Sequence, residues 1–224
     1  GGYPVIAIDS GAFRGKISIQ TLTIPSSVQR IGRETFSGCT GIRSLKLNKG
    51  LQTIGKRAFF KCIGLKSVEI PATVTSIEDG AFEESGLQKI EIPDSVTSMG
   101  TEVFSSCPAL TEATIKAKLT KLPSLTFSES EALQKVILSD SITVLEDFAF
   151  FDCKSLKTVN LPKSLKEIQE GVFYNCTNLL NLQFPSSLES IGDSAFWACN
   201  SITTVGTPAS LKQIGEAAFY SCKK

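Results

Sequence analysis

LKSVEIPATVTSIEDGAF, residues 65–82, sets apolar side chains at Leu65, Val68, Ile70, Val74, Ile77, Ala81 and Phe82, with Pro71 directly after the third. Residues 156–173 repeat that spacing with Leu156, Val159, Leu161, Pro162, Leu165, Ile168, Val172 and Phe173. Working outward from the two, one phenylalanine column runs the length of the chain: Phe13, Phe36, Phe59, Phe82, Phe104, Phe127, Phe150, Phe173, Phe196 and Phe219. Eight of its nine intervals are 23 residues and the one from Phe82 to Phe104 is 22. A short unit on a fixed stride cannot bury its own apolar side and must lie against copies of itself, which makes the chain a solenoid.

Counted from each column Phe, apolar residues return at offsets 6, 9, 11, 15, 18 and 23. Offsets 9 and 11 have the two-residue period of a strand with one buried face, so the spacing predicts one short strand per coil, stacked in parallel. Proline closes most of these strands, at Pro25, Pro71, Pro93, Pro162, Pro185 and Pro208, because it has no N–H to give a ladder. On the return, apolar positions at i, i+4 or i+5, and i+8 predict a short helical turn packed on the strand layer.

With 224 residues, 42% hydrophobic and 20% charged, and a net charge of +1, the chain reads as a single elongated domain over residues 1–224. Its basic residues are scattered, which argues against a nucleic-acid partner. No apolar run is long enough to span a bilayer, so no membrane insertion is expected within this segment. Gly1 and Gly2 lead into the middle of a repeat, and neither end carries the polar cap that solenoids use. The chain is therefore expected to be cut from a longer protein, its targeting segment lost with the flanks.

Seven cysteines share one slot, three residues after the column Phe: Cys39, Cys62, Cys107, Cys153, Cys176, Cys199 and Cys222. An odd count, with Ser85 and Ser130 in the same slot of other coils, speaks against obligate disulfides, and no Cys-x-x-Cys pair is available for zinc. Free thiols acting as small buried apolar groups are expected. The chain has no histidine, which removes the commonest general base and metal ligand, so no enzyme and no cofactor is expected.

Two surfaces remain for function. Offsets 8 and 10, or 7 and 9 in the 22-residue coil, should point outward from the strand layer, and they carry a charged middle of Lys46, Glu69, Lys89, Glu91, Glu112 and Lys135, flanked by polar residues such as Thr21, Thr158 and Asn181. The alternation of Lys89, Glu112 and Lys135 also suits plain cross-strand ion pairing. The second surface is the slot after the column Phe, which holds Phe151, Tyr174, Trp197 and Tyr220 in four successive coils. Such an aromatic stripe suits a protein or glycan partner if exposed, and extra core if buried.

The repeat resembles the BspA-like class of leucine-rich repeats, with consensus Leu-x-x-Ile-x-Leu-Pro-x-x-Leu-x-x-Ile-Gly-x-x-Ala-Phe-x-x-Cys. LKSVEIPATVTSIEDGAF and LLNLQFPSSLESIGDSAFWAC fit it closely, whereas KAKLTKLPSLTF and LSDSITVLEDFAF depart at the proline and glycine. The resemblance implies an α/β solenoid, a right-handed leucine-rich-repeat superhelix of nine to ten coils with one short parallel strand per coil and helical or 3-10 turns on the return. It also implies a cell-surface or secreted adhesion module for a host extracellular or cell-surface protein. A carbohydrate-binding module and a structural spacer are the alternatives.

Overall fold

The computed structural model describes residues 4–180 and 182–222. Each coil offers its neighbours three hydrogen-bonding edges, and all strand pairing is parallel between equivalent residues of consecutive coils.

The first edge contains the expected strands. Lys89–Ile92, Glu112–Ile115, Lys135–Leu138 and Thr158–Asn160 form a four-stranded ladder, and Thr21–Thr23 pairs separately with Ser44–Lys46. Burial alternates along them as the two-residue period requires: in Lys89–Ile92 the isoleucines are buried while Lys89 and Glu91 are exposed.

The second edge is a correction to the expectation of one strand per coil. Two-residue strands stand at offsets 17 and 18, or 16 and 17 in the 22-residue coil, from Ala7–Ile8 through Arg30–Ile31, Thr53–Ile54 and Ser76–Ile77 to Ser98–Met99. They resume from Lys121–Leu122 through Val144–Leu145, Glu167–Ile168 and Ser190–Ile191 to Gln213–Ile214. The interruption has a covalent cause. The residue just after each of these strands usually donates its N–H to the preceding coil, as Gly100 does to the Ile77 carbonyl at 2.9 Å and Glu146 to that of Leu122 at 3.0 Å. Pro123 occupies that position and has no N–H. A cavity of about 330 Å³ opens at the break, lined in part by Met99, Lys121 and Pro123.

The third edge overturns the expected helical turns. Among the described residues there is no helix; around each column Phe the chain forms consecutive turns, so the fold is a parallel β-solenoid and not α/β. The amides divide the work. The N–H groups of Ala58, Phe60 and Cys62 close turns onto Gly55, Arg57 and Phe59, at 3.0–3.2 Å. Those of Arg57, Phe59 and Lys61 donate to Asp79, Ala81 and Glu83 of the next coil at 2.8–2.9 Å. With every second amide directed along the stack, no i to i−4 ladder can form. Left-handed residues such as Arg57 (φ 53°) and Lys61 (φ 56°) flank the Phe and prevent a continuous right-handed turn.

The phenylalanine column is the core's spine. Successive rings stack at 5.0–5.8 Å between centroids and within 18° of parallel, and the eight from Phe36 to Phe196 are fully buried. Each stands to contribute about 1.5–3 kcal/mol by burial alone.

The cysteine slot holds free thiols, but they do more than fill space. Each Sγ lies at 3.0–3.2 Å from the carbonyl oxygen of the preceding coil's column Phe, as in Cys62 to Phe36 and Cys176 to Phe150. Ser130 Oγ makes the same bond to the Phe104 carbonyl at 2.8 Å. The slot selects a small donor, which serine supplies as well as cysteine. Burial pushes the thiols up, Cys62 from 9.0 to about 12 and Cys107 to about 11, which keeps the donating proton in place.

Candidate functional site

The strand face takes its shape from the first edge. Lys46, Glu69, Lys89, Glu91, Glu112 and Lys135 are all exposed, as the two-residue period requires. Asn181 lies outside the described residues. Lys89 stands in register with Glu112, and their charged atoms meet at 3.1 Å; Glu91 is met at 2.7 Å by Lys116. Lys135 is also in register with Glu112, yet among the described residues it has no ion-pair partner, so the expected alternation closes on one side only. Exposed pairs of this kind contribute roughly 0–1 kcal/mol, and they set charge pattern more than stability.

Lys46 and Glu69 stand apart from that ladder, on opposite walls of a groove of about 600 Å³. The groove lies where residues 66–70 leave the first edge: they form no strand, and Ser44–Lys46 pairs only with the coil before it.

The aromatic stripe lies on the third edge. Its rings stack on one another, Phe151 on Tyr174 at 5.3 Å, Tyr174 on Trp197 at 5.7 Å and Trp197 on Tyr220 at 4.2 Å. Phe148 closes the other end, edge-on to Phe151 at 5.9 Å. Phe151, Tyr174 and Trp197 are half-buried and Tyr220 is 57% exposed. Stacked rings cover each other's faces and present edges to solvent, whereas a sugar stacks on a face.

Sequence reasoning passed over the charge network on the same edge of the earlier coils. Arg57 bonds Glu83 at 3.0 Å and reaches Glu102 at 4.0 Å, Lys56 holds Asp79 at 3.0 Å, and Lys61 lies 3.5 Å from Glu84. Arg57 and Lys61 also cap the Phe60 ring at 5.0 and 4.9 Å. The Lys56 hydrogen bond lowers the Asp79 carboxyl, while burial raises that of Glu83. The signal was present in the left-handed slots two residues either side of the column Phe, where Arg57, Lys61, Glu84 and Glu102 stand.

Among the described residues no group of His, Cys, Asp and Glu is placed to hold a metal ion, and no helix is long and apolar enough to cross a membrane. The strand-face residues and the aromatic row belong to different edges of the coil, so the structure presents two surfaces and does not merge them into one site.

Comparison with known proteins returns repeat proteins. The profile of the BspA type leucine rich repeat region matches in six copies, over residues 6–134 and 101–224. A leucine-rich repeat protein from Bacteroides ovatus superposes with a TM-score of 0.70 at 22% identity, over 98% of this chain and 81% of its own. A leucine rich cell surface protein from Faecalibacterium prausnitzii gives 0.51 at 25% identity, over 97% and 74%. The pneumococcal vaccine antigen PcpA gives 0.60 at 22% identity, over 98% and 66%. No curated protein matches the chain.

Proposed function

Because the chain belongs to the BspA-type leucine-rich repeat family, we propose that it is a non-enzymatic binding module of a surface or secreted protein, with the strand face as its adhesive surface. The observation that carries this reading is the exposed row of Lys89, Glu91, Glu112 and Lys135 on a parallel ladder whose alternate residues are locked in the core. Such a ladder offers a partner a rigid, charged, preorganised surface, so little conformational entropy is lost on binding. The printed descriptions of the similar structures, a cell surface protein and a vaccine antigen, suit an extracellular setting. The partner would be an extracellular or cell-surface protein of a host or a neighbouring cell. Charges at a rim act mainly on the association rate and its salt dependence.

The test is a binding screen of the chain against immobilised extracellular-matrix proteins, followed by the triple variant Lys89→Ala, Glu112→Ala and Lys135→Ala. Binding that falls with unchanged thermal stability supports the strand face. Binding that survives the triple variant but is lost with Trp197→Ala would move the site to the aromatic row.

A further inference from the structure

The groove between Lys46 and Glu69 is a gap in backbone hydrogen bonding. At the leading end of each first-edge segment an amide bonds the previous coil: Arg43 N–H to the Gln20 carbonyl at 2.8 Å, Gln88 to Lys66 at 3.0 Å, Thr111 to Gln88 at 2.8 Å. The equivalent bond from Lys66 to Arg43 is missing among the described residues, and no backbone bond joins residues 66–70 to 43–47; the seam closes again where Thr73 Oγ1 donates to the Leu51 carbonyl at 2.7 Å and accepts the Gly50 N–H at 3.2 Å. Ser44 and Lys46 direct their backbone groups to Thr21–Thr23, and the Lys46 carbonyl accepts from Ile24 at 2.9 Å. The alternate residues, Leu45 and Leu47, therefore turn their N–H and C=O groups toward the seam, where no backbone group pairs them among the described residues.

The seam is open on this face alone. Behind it Arg30–Ile31 pairs with Thr53–Ile54, and Phe36 stacks on Phe59 at 5.4 Å. Positive charge surrounds the opening: Arg43, Lys46, Lys49 and Lys66 are exposed, and none of them is in an ion pair among the described residues, while Glu69 is the acid on the facing wall.

We propose that this seam takes an extended acidic peptide segment of a partner protein, added to the free edge of Ser44–Lys46. An unpaired strand edge is matched in series by another main chain, and the cations select carboxylates on it. A free polyanion would meet the lysines but leave the groups of Leu45 and Leu47 unmatched. The inference rests on the strand face being the binding surface and locates the partner within it.

The probe is a fluorescent Glu-Val-Glu-Val-Glu-Val peptide titrated into the full chain by anisotropy, beside its Lys-for-Glu counterpart and a copy N-methylated at alternate amides. Amide exchange at Leu45 and Leu47 is followed in parallel. The acidic peptide should bind and slow both amides; the N-methylated copy and the Lys46→Glu, Lys49→Glu variant, its melting temperature unchanged, should each bind about tenfold more weakly. Absence of binding by the acidic peptide, equal binding of the N-methylated copy, or undiminished binding by the variant would overturn the proposal. So would amides at Leu45 and Leu47 that exchange slowly in the free protein, since the seam would then be closed. That last result would leave the wider strand face around Lys89 and Glu112 untouched as a binding surface.

Discussion

Replacing Cys176 separates a donor from a filler. Its Sγ lies 3.1 Å from the Phe150 carbonyl, which also accepts the Cys153 N–H at 3.2 Å, so removing the thiol weakens that carbonyl's pairing without orphaning it. Cys176→Ala therefore loses a hydrogen bond of about 0.5–1.5 kcal/mol. It also deletes one buried heavy atom, comparable to a methylene at about 0.8 kcal/mol plus a small cavity contribution. The sum is about 1.5–2.5 kcal/mol, or a drop in melting temperature of roughly 4–8 °C for a chain of this size. Cys176→Ser keeps the donor in a slot that Ser130 fills fully buried, and should cost about 1 kcal/mol or less. Serine is thus expected to outrank alanine, opposite to the order that apolar burial alone would give. Urea unfolding of both variants under reducing conditions, with slopes compared to detect loss of cooperativity, measures the difference. If alanine is as stable as serine or more so, the thiol is only a filler and the bonding argument fails.

Other perturbations have definite directions. Phe104→Ala, in the middle of the buried spine and stacked on both sides, should destabilise by about 3–5 kcal/mol, read by urea unfolding. Gly171→Ala should destabilise by about 2–3 kcal/mol, because φ there is +57° and the added Cβ would collide with the Phe148 ring; combining it with Phe148→Ala should recover part of the loss. Stability should be full below pH 9 and fall between about pH 9 and 12, since Cys62, raised from 9.0 to about 12, keeps a proton that the unfolded chain releases. Each such thiol contributes up to about 1.4 kcal/mol per pH unit in that window, and a pH series of urea midpoints reads the slope. Pro123→Gly should create a slowly exchanging amide at position 123 that joins the two halves of the second edge, seen by hydrogen exchange.

The solenoid, the phenylalanine spine and the outward direction of Lys89 and Glu112 were legible because stride and alternation are written in side-chain type. The second edge was not, since strands of two residues such as Thr53–Ile54 leave no period to detect. The return was misread because Ile77, Ala81 and Phe82 carry helix-like apolar spacing, whereas hydrogen bonding to the next coil, which spacing does not encode, decides the backbone. Its left-handed positions gave little warning, being filled by residues such as Glu34, Arg57, Phe148 and Ser194 as well as by glycine. Ser130 in the cysteine slot was the legible clue to a donor. Of the candidate surface, the exposure of Lys46 and Glu69 followed from the pattern. The open seam between them did not, for no residue in 66–70 resembles the proline that breaks the second edge.

Scalar couplings transmitted across hydrogen bonds decide whether the turns around each phenylalanine are tied to the next coil or wound into helix. The Phe59 amide nitrogen should couple to the Ala81 carbonyl carbon, and that of Ala58 to Gly55. Coupling from Phe59 back to the Gly55 carbonyl, the i to i−4 bond of an α-helix, would contradict it.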